Sequence, residues 1–157
     1  MSYKEDQDIR VDHIQTRGLI LKGKKVLVMF RRKNGEEYYV FPGGHMQKGE
    51  KPIDTAIREI KEETTIDVKN LKPAFEFINY LKHEKREYLF VGEWKEGEPE
   101  LSGEESRRAS EDDYYEPMWI PIEDIAKINF YPIRTKEWVM LYLERFLEKI
   151  TSYPSSI

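Results

Sequence analysis

Apolar and polar residues alternate in two stretches near the start of the chain, 13–21 and 25–32. They predict two strands around the Lys22-Gly23-Lys24 link, which suits a tight hairpin. Asn34-Gly35 marks the next turn, and residues 38–41 form a short aromatic strand that runs into Pro42-Gly43-Gly44. A glycine pair just after a strand marks backbone that bends sharply or approaches another group closely. The period then changes from two to 3.6. Ile53, Ala56, Ile57 and Ile60 follow helical spacing and predict a helix over 52–64 with these four as its buried stripe. Pro52 sits near the start of that helix, where a missing N–H costs little. Alternation returns over 66–82 and 86–95, predicting two strands joined by a turn at 82–85. Residues 96–116, rich in Glu, Gly, Ser and Asp, read as a long surface loop, a feature that is usually functional or mobile. One more strand is predicted at 118–122, a short helix at 122–128 and a final helix at 134–150, with Trp138, Leu141, Tyr142, Arg145 and Phe146 at helical spacing. Strands, a helix, more strands and another helix predict an α+β fold or a mixed α/β sandwich.

The length of 157 residues fits one domain, with 1–11 and 151–157 as solvated tails. Charged residues make up 36% of the chain, but 13% aromatics suffice for a core and argue against disorder throughout. The lack of cysteine excludes a disulfide scaffold and a thiolate metal site. His13, His45 and His83 are far apart, so a bound metal is expected to be a hard ion held by carboxylates. No apolar run is long enough to span a membrane, and residues 1–12 do not read as a signal peptide. The expectation is a cytoplasmic enzyme or binding protein. With 26 basic and 30 acidic residues, the net charge of −4 argues against a nucleic-acid polymer as partner. It leaves room for a single nucleotide, because a metal bound in an acidic site can carry the phosphate recognition.

The chemistry concentrates on the predicted central helix. At about 100° per residue, Glu59, Glu62 and Glu63 fall within an arc of roughly 100° beside the apolar stripe. Like charges at this spacing repel, and they crowd the helix C-terminus, where the dipole disfavours anions. A divalent cation would turn that repulsion into ligation. A solvated acidic face is the plainer reading of any isolated Glu pair.

The wider pattern decides between them. From Gly44 the chain reads Gly, five residues, Glu50, seven residues, Arg58-Glu59-Ile60, one residue, Glu62-Glu63, then Thr64, Thr65 and Ile66. This resembles the Nudix box, and a chance match at all positions but the last Gly is on the order of one in 10⁴ to 10⁵. Phe41-Pro42-Gly43 before the box agrees as well. The sequence departs from the family at Thr65, where the box ends in Gly, and at Gln47, where many members carry Glu. A β-branched residue where φ is positive costs roughly 1 kcal/mol or more.

The resemblance implies a Nudix-type α/β/α sandwich with a mixed β-sheet. It also implies Mg²⁺-dependent hydrolysis, with Mn²⁺ as a substitute, of a nucleoside diphosphate linked to another group. By position, Glu59, Glu62 and Glu63 match the metal ligands, Arg58 the arginine that orients a box carboxylate, and Gly44 the loop position of close approach and metal contact. Glu62 or Glu63 is the candidate base, and Glu116, in the acidic segment 111–116, a candidate base or ligand from outside the box. Arg31 and Arg32 are candidate phosphate contacts. Tyr80, fifteen residues past Thr65, resembles a tyrosine of dinucleoside polyphosphate members, and the Pro that ADP-ribose members carry near that position is missing. Other aromatics, Tyr38, Tyr39, Tyr114, Tyr115, Phe130 and Tyr131, are candidates to stack on a base, against the commoner role of core residues. A small-molecule phosphoanhydride is the expected partner, with homodimers frequent in the family. A Nudix fold that binds a nucleotide without cutting it is the rival reading.

Overall fold

The computed structural model describes residues 13–79, 84–100 and 113–152, with the backbone alone for 146–152. The order of elements is β1 (Ile14–Lys22), β2 (Lys25–Lys33), β3 (Glu36–Val40), α1 (Pro52–Thr64), β4 (Asp67–Asn79), β5 (Lys85–Glu96), β6 (Asp113–Pro121), a 3₁₀ helix (Ile122–Lys127) and α2 (Ile133–Ser152). The strands form one mixed sheet in the order β3-β2-β1-β5-β4, with β6 on β2. Among the described strands, β1 and β5 pair parallel and the other pairs are antiparallel.

Each face of the sheet buries its own cluster. Leu19, Val26, Val28 and Leu89 meet Phe41, Phe130, Ile122, Ile125 and Val139, so α2 covers one face. Trp138 of α2 stacks on Phe75 with ring centroids 5.6 Å apart. Ile20 and Leu27 meet Ile60 of α1 and Ile66 on the other face. Alternation along the strands sends neighbouring residues to opposite sides, which is why one sheet feeds two cores. The result is the α/β/α sandwich expected from the sequence.

Three local expectations change. Ile57 is 42% exposed, whereas Thr55, Ala56, Ile60 and Thr64 are buried, so the stripe on α1 is rotated from the predicted one. Two threonines enter it because their hydroxyls are satisfied locally: Thr64 donates to the Ile60 carbonyl, and Thr55 to the Lys51 carbonyl and to Glu50. Residues 113–116 belong to β6 and not to the loop predicted over 96–116. They pair with the cationic end of β2, Asp113 opposite Lys33, Tyr114 opposite Arg32 and Tyr115 opposite Arg31, which gives an acidic, polar segment a reason to be a strand. Finally, α2 runs through Ser152, so the tail expected from 151 is still helix there.

Thr65 caps α1 in the left-handed conformation, at φ 66° and ψ 3°, where the box has its Gly. Its N–H bonds to Lys61 O and its hydroxyl donates to Glu98 O at 2.6 Å. That bond offsets part of the strain. Thr65→Gly is expected to be as stable as the natural chain or up to about 1 kcal/mol more stable by urea unfolding, because strain relief slightly exceeds one exposed hydrogen bond. A loss of more than about 1 kcal/mol would show that the bond to Glu98 dominates.

The sheet also has a split. β6 pairs with β2 along its whole length, so β1 and β3 share the opposite edge of β2. β1 pairs with β2 only through Leu21 and Lys22. Beyond Leu21 the two strands part, and the chain leaving β3 takes β2's place beside β1. Gly18 N–H donates to Pro42 O, Thr16 N–H to Gly44 O, and Met46 N–H to Ile14 O, at 2.8, 2.8 and 3.0 Å. The 41–46 segment is thereby held along the edge of β1, with an isolated bridge between His45 and Gln15.

Candidate active site

That segment and α1 build the site. Gly43 and Gly44 lie between β1 and the carboxylates of α1. A Cβ on Gly43 would collide with the Thr16 carbonyl, and one on Gly44 with the Glu59 carboxyl group. No other residue fits either position without moving the loop or the glutamate. Gly43 N–H in turn donates to Glu63 Oε2 at 3.3 Å. Two of the three predicted carboxylates, Glu59 and Glu63, therefore meet the glycine loop, and the third, Glu62, is more exposed at 58%.

Arg58 ties the parts together. Its Nε and Nη2 grip the two oxygens of Glu50 at 2.7 and 2.9 Å. Its Nη1 donates to Glu59 at 2.9 Å and to Glu62 at 3.2 Å, and Nη2 also reaches the His45 carbonyl at 3.3 Å. The fork geometry of a guanidinium makes such multiple contacts possible. The resemblance gives Arg58 the role of orienting Glu50 or a neighbour, and its contacts here are to Glu50, Glu59 and Glu62. The hydrogen bond from Arg58 is the main reason that the Glu50 carboxyl falls to about 2, helped by the Gln47 N–H and the Thr55 hydroxyl. The same bond, with those to Glu59 and Glu62, raises Arg58. Repulsion among the glutamates is thus smaller than the sequence suggests, because one cation already sits among them.

Glu59 is the strained member. Burial pushes its carboxyl up, and Arg58 only partly counteracts this. A carboxyl raised on folding disfavours the fold progressively as pH rises from 4.5, its unfolded value, through the raised value. At neutral pH the charge on Glu59 therefore costs stability. Glu59→Gln is expected to raise Tm of the metal-free protein while weakening divalent-cation binding, as read by calorimetry and thermal melts. A lowered Tm without cation would contradict the desolvation account.

The donor set fits a hard divalent cation. All oxygens offered are carboxylate or carbonyl, and the closeness of Gly44 to Glu59 is a cradle that a side chain would fill. Among the described residues no group of three or more His, Cys, Asp or Glu side chains is placed to hold a metal ion. The Gly44 carbonyl accepts both the N–H and the hydroxyl of Thr16, at 2.8 and 3.2 Å.

The remaining predicted residues lie elsewhere. Glu116 is on β6, opposite Phe30, and accepts from the Tyr114 hydroxyl at 3.2 Å. It alternates with Met118, which packs toward α2, so it lies on the face of the sheet away from α1. Arg31 is engaged by the Tyr115 hydroxyl and stacks over the Tyr115 ring at 4.2 Å. Arg32 stands near Glu37 at 3.7 Å and over the Phe30 and Tyr114 rings. His45 is exposed, with Nε2 3.2 Å from Lys85 Nζ. Tyr80, His83 and residues 111–112 lie outside the described residues. Phe41 and Phe130 form core, with centroids 4.7 Å apart. Thr16 and Thr55 were not singled out from the sequence. A Thr within a strand or on a helix carries no signal of the distant carbonyl or carboxylate that it meets.

A family model described as NUDIX domain matches residues 12–142. The ADP-ribose pyrophosphatase of Bacillus subtilis (strain 168) is 34% identical over 110 residues, 68% of this chain and 56% of that protein. A second protein of that organism, named uncharacterized Nudix hydrolase YvcI, is 31% identical over 114 residues, 69% of this chain and 65% of that one. The match thus spans between half and two thirds of the length of these curated relatives. Among solved structures, a MutT described in a study of Aliivibrio salmonicida and Vibrio cholerae superposes with a TM-score of 0.60 at 18% identity, covering 86% of this chain and 96% of that one. At that identity the likeness is one of fold.

Proposed function

The chain belongs to the Nudix family, and from that premise we propose that it is a divalent-cation-dependent pyrophosphohydrolase acting on a nucleoside diphosphate linked to a second group. The observation that carries this reading is the meeting of Glu59 and Glu63 with the Gly43–Gly44 loop, locked by Arg58 to Glu50 and Glu62.

Glu59, Glu62 and Glu63 would hold the cation, Mg²⁺ by preference and Mn²⁺ as substitute, with the Gly44 carbonyl joining at the expense of its bond to the Thr16 hydroxyl. The cation, when bound, neutralises phosphate oxygens and makes its water more acidic. Glu63 or Glu62 accepts the proton of the attacking water, and Glu63 is the better placed because it faces the loop. Arg58 does not touch the substrate in this scheme; it keeps Glu50, Glu59 and Glu62 aimed. Arg31, Arg32 and Tyr80 are assigned to substrate binding, and Glu116 stands as the outside base or ligand should both box glutamates prove to be ligands only.

The test is incubation with Mg²⁺ or Mn²⁺ and a panel of nucleoside triphosphates, oxidised nucleotides, dinucleoside polyphosphates, ADP-ribose and nucleotide sugars. Phosphate is measured with and without added phosphatase. ADP-ribose belongs in the panel because of the Bacillus subtilis relative, although the Pro of such members is missing here. Turnover of one class, abolished by EDTA, is the expected result. Cation alone should also raise thermal stability, by about 2.7 kcal/mol at a hundredfold excess over Kd. That rise with no turnover on any substrate would favour the binding-only reading, and no rise would sink the metal assignment.

A further inference from the structure

We propose that Arg17, seated on a buried carboxylate, is a positioning residue that holds the glycine loop from the face of the sheet opposite α1. The inference rests on the proposed activity and extends it to residues outside the box. Arg17 alternates with Leu19, which packs toward α2, so its side chain lies on the other side of the sheet from Glu59 and Glu63. A charged residue there is unexpected beside an apolar core. Its Nη1 donates to the Phe41 carbonyl at 3.0 Å. Phe41 is the residue at which the chain leaves β3 for the β1 edge, two residues before Gly43.

Behind Arg17 stands Glu87 of β5, 3% exposed. Its Oε1 is 3.9 Å from Arg17 Nε, and its Oε2 accepts from Asn79 Nδ2 of β4 at 3.0 Å. Among the described residues, Arg17 Nε is buried without a hydrogen-bond partner. A separation of 3.9 Å is long for an ion pair that stabilises by itself, and two charges taken out of water cost free energy unless their geometry is good. The well-made bonds of the group are the ones at its two ends, Asn79 to Glu87 and Arg17 to Phe41, both at 3.0 Å. The sequence Asn79, Glu87, Arg17, Phe41 therefore spans β4, β5 and β1 and ends on the loop. It holds Arg17 pointed at the carbonyl whose position sets the path of Pro42, Gly43 and Gly44.

Among the described residues, three backbone bonds join the loop to β1, those of Gly18, Thr16 and Met46. If the Phe41 peptide turns, the Pro42 and Gly44 carbonyls leave Gly18 and Thr16, and Gly43 N–H leaves Glu63. Small displacements of this kind matter, since a shift of about 1 Å at a reacting centre costs up to ~100-fold in rate.

The experiment uses Arg17→Met with Glu87→Met in one chain, because Arg17→Met alone strands a buried carboxylate and risks unfolding. The paired replacement keeps volume and leaves no charge behind, so Tm should stay within a few degrees. Native-state hydrogen exchange then reads the loop directly. Expected is faster exchange at the Gly18 and Thr16 amides by about tenfold or more, with Val28 and Leu89 unchanged. Expected in turnover is a fall in kcat of about tenfold with KM within about twofold, and a higher cation concentration for half-activity. Arg17→Lys with Glu87 intact should recover less than half of kcat, because an ammonium lacks the second nitrogen that spans Glu87 and Phe41. Natural exchange rates at Gly18 and Thr16, or natural kcat despite faster exchange, would overturn the proposal. If the unaltered chain turned over nothing, the proposed activity would fall, and the exchange result would still decide whether Arg17 holds the loop.

Discussion

Glu63→Gln is expected to lower kcat by about 10²–10⁴ while leaving the fold intact. The asymmetry follows from what Glu63 does in the structure. Its Oε2 accepts the Gly43 N–H, and a glutamine carbonyl oxygen can accept the same bond, so the loop stays in place. What disappears is the negative charge proposed to bind a cation or to take a proton from water. Tm without cation should move by only a few degrees, and the cation-induced rise in Tm should shrink. Glu62→Gln is expected to lose most turnover as well. Glu123→Gln, exposed on the 3₁₀ helix, is the control with unchanged turnover. Near-natural turnover in Glu63→Gln, with the control also unchanged, would move the chemistry to another residue, and Glu116 would be the next to replace.

Arg58→Met should damage both stability and activity. It removes one cation from between Glu50, Glu59 and Glu62 and leaves their carboxylates to repel. The expected loss is about 2 kcal/mol at pH 7, less than for a fully buried pair because the cluster is partly exposed. In a domain of this size that corresponds to roughly 4–8 °C in Tm. Turnover should fall with it, since Glu59 and Glu62 lose their orienting partner. The pH dependence is a second reading of the same contact. Glu50 has its carboxyl lowered from 4.5 to about 2, so its contribution to stability is complete above about 4.5 and is lost as pH falls toward 2. Arg58→Met should remove that part of the acid sensitivity, and Glu50→Gln should do the same. An Arg58→Met protein as stable as the natural chain at pH 7 would mean that solvent already screens the three glutamates.

Much of the site was legible because its residues are local. Glu50, Arg58, Glu59, Glu62 and Glu63 lie within fourteen residues of each other, and a helix of known pitch sets their relative directions without help from the rest of the chain. At Thr65 the sequence left two outcomes open, a helix end that differs locally or a tolerated strain, and the left-handed conformation there is the second. Helix and strand existence followed from the period of apolar residues. Less local features failed. Ile57 obeys the helical spacing yet faces out, since which part of an amphipathic stripe is buried depends on where α1 lands on β1. Residues 113–116 look like loop by composition and become strand only because the cationic end of β2 is beside them.

By itself, then, the sequence determined the order of elements, the carboxylate-bearing helix, the glycine loop before it and the family to which they belong. Each of these depends on residues a few positions apart, where backbone geometry translates spacing into direction. The tertiary structure decided the rest. It chose the split between β1 and β2 that seats the loop, and it placed Arg58 as a cation among the glutamates rather than beside one. It brought Thr16 to Gly44 and Arg17 to Phe41, 28 and 24 positions away in the chain, and set Glu87 behind Arg17. Those contacts depend on which strands pair and which faces are covered, and these are settled by burying the whole set of apolar residues at once, not by any one stretch of them.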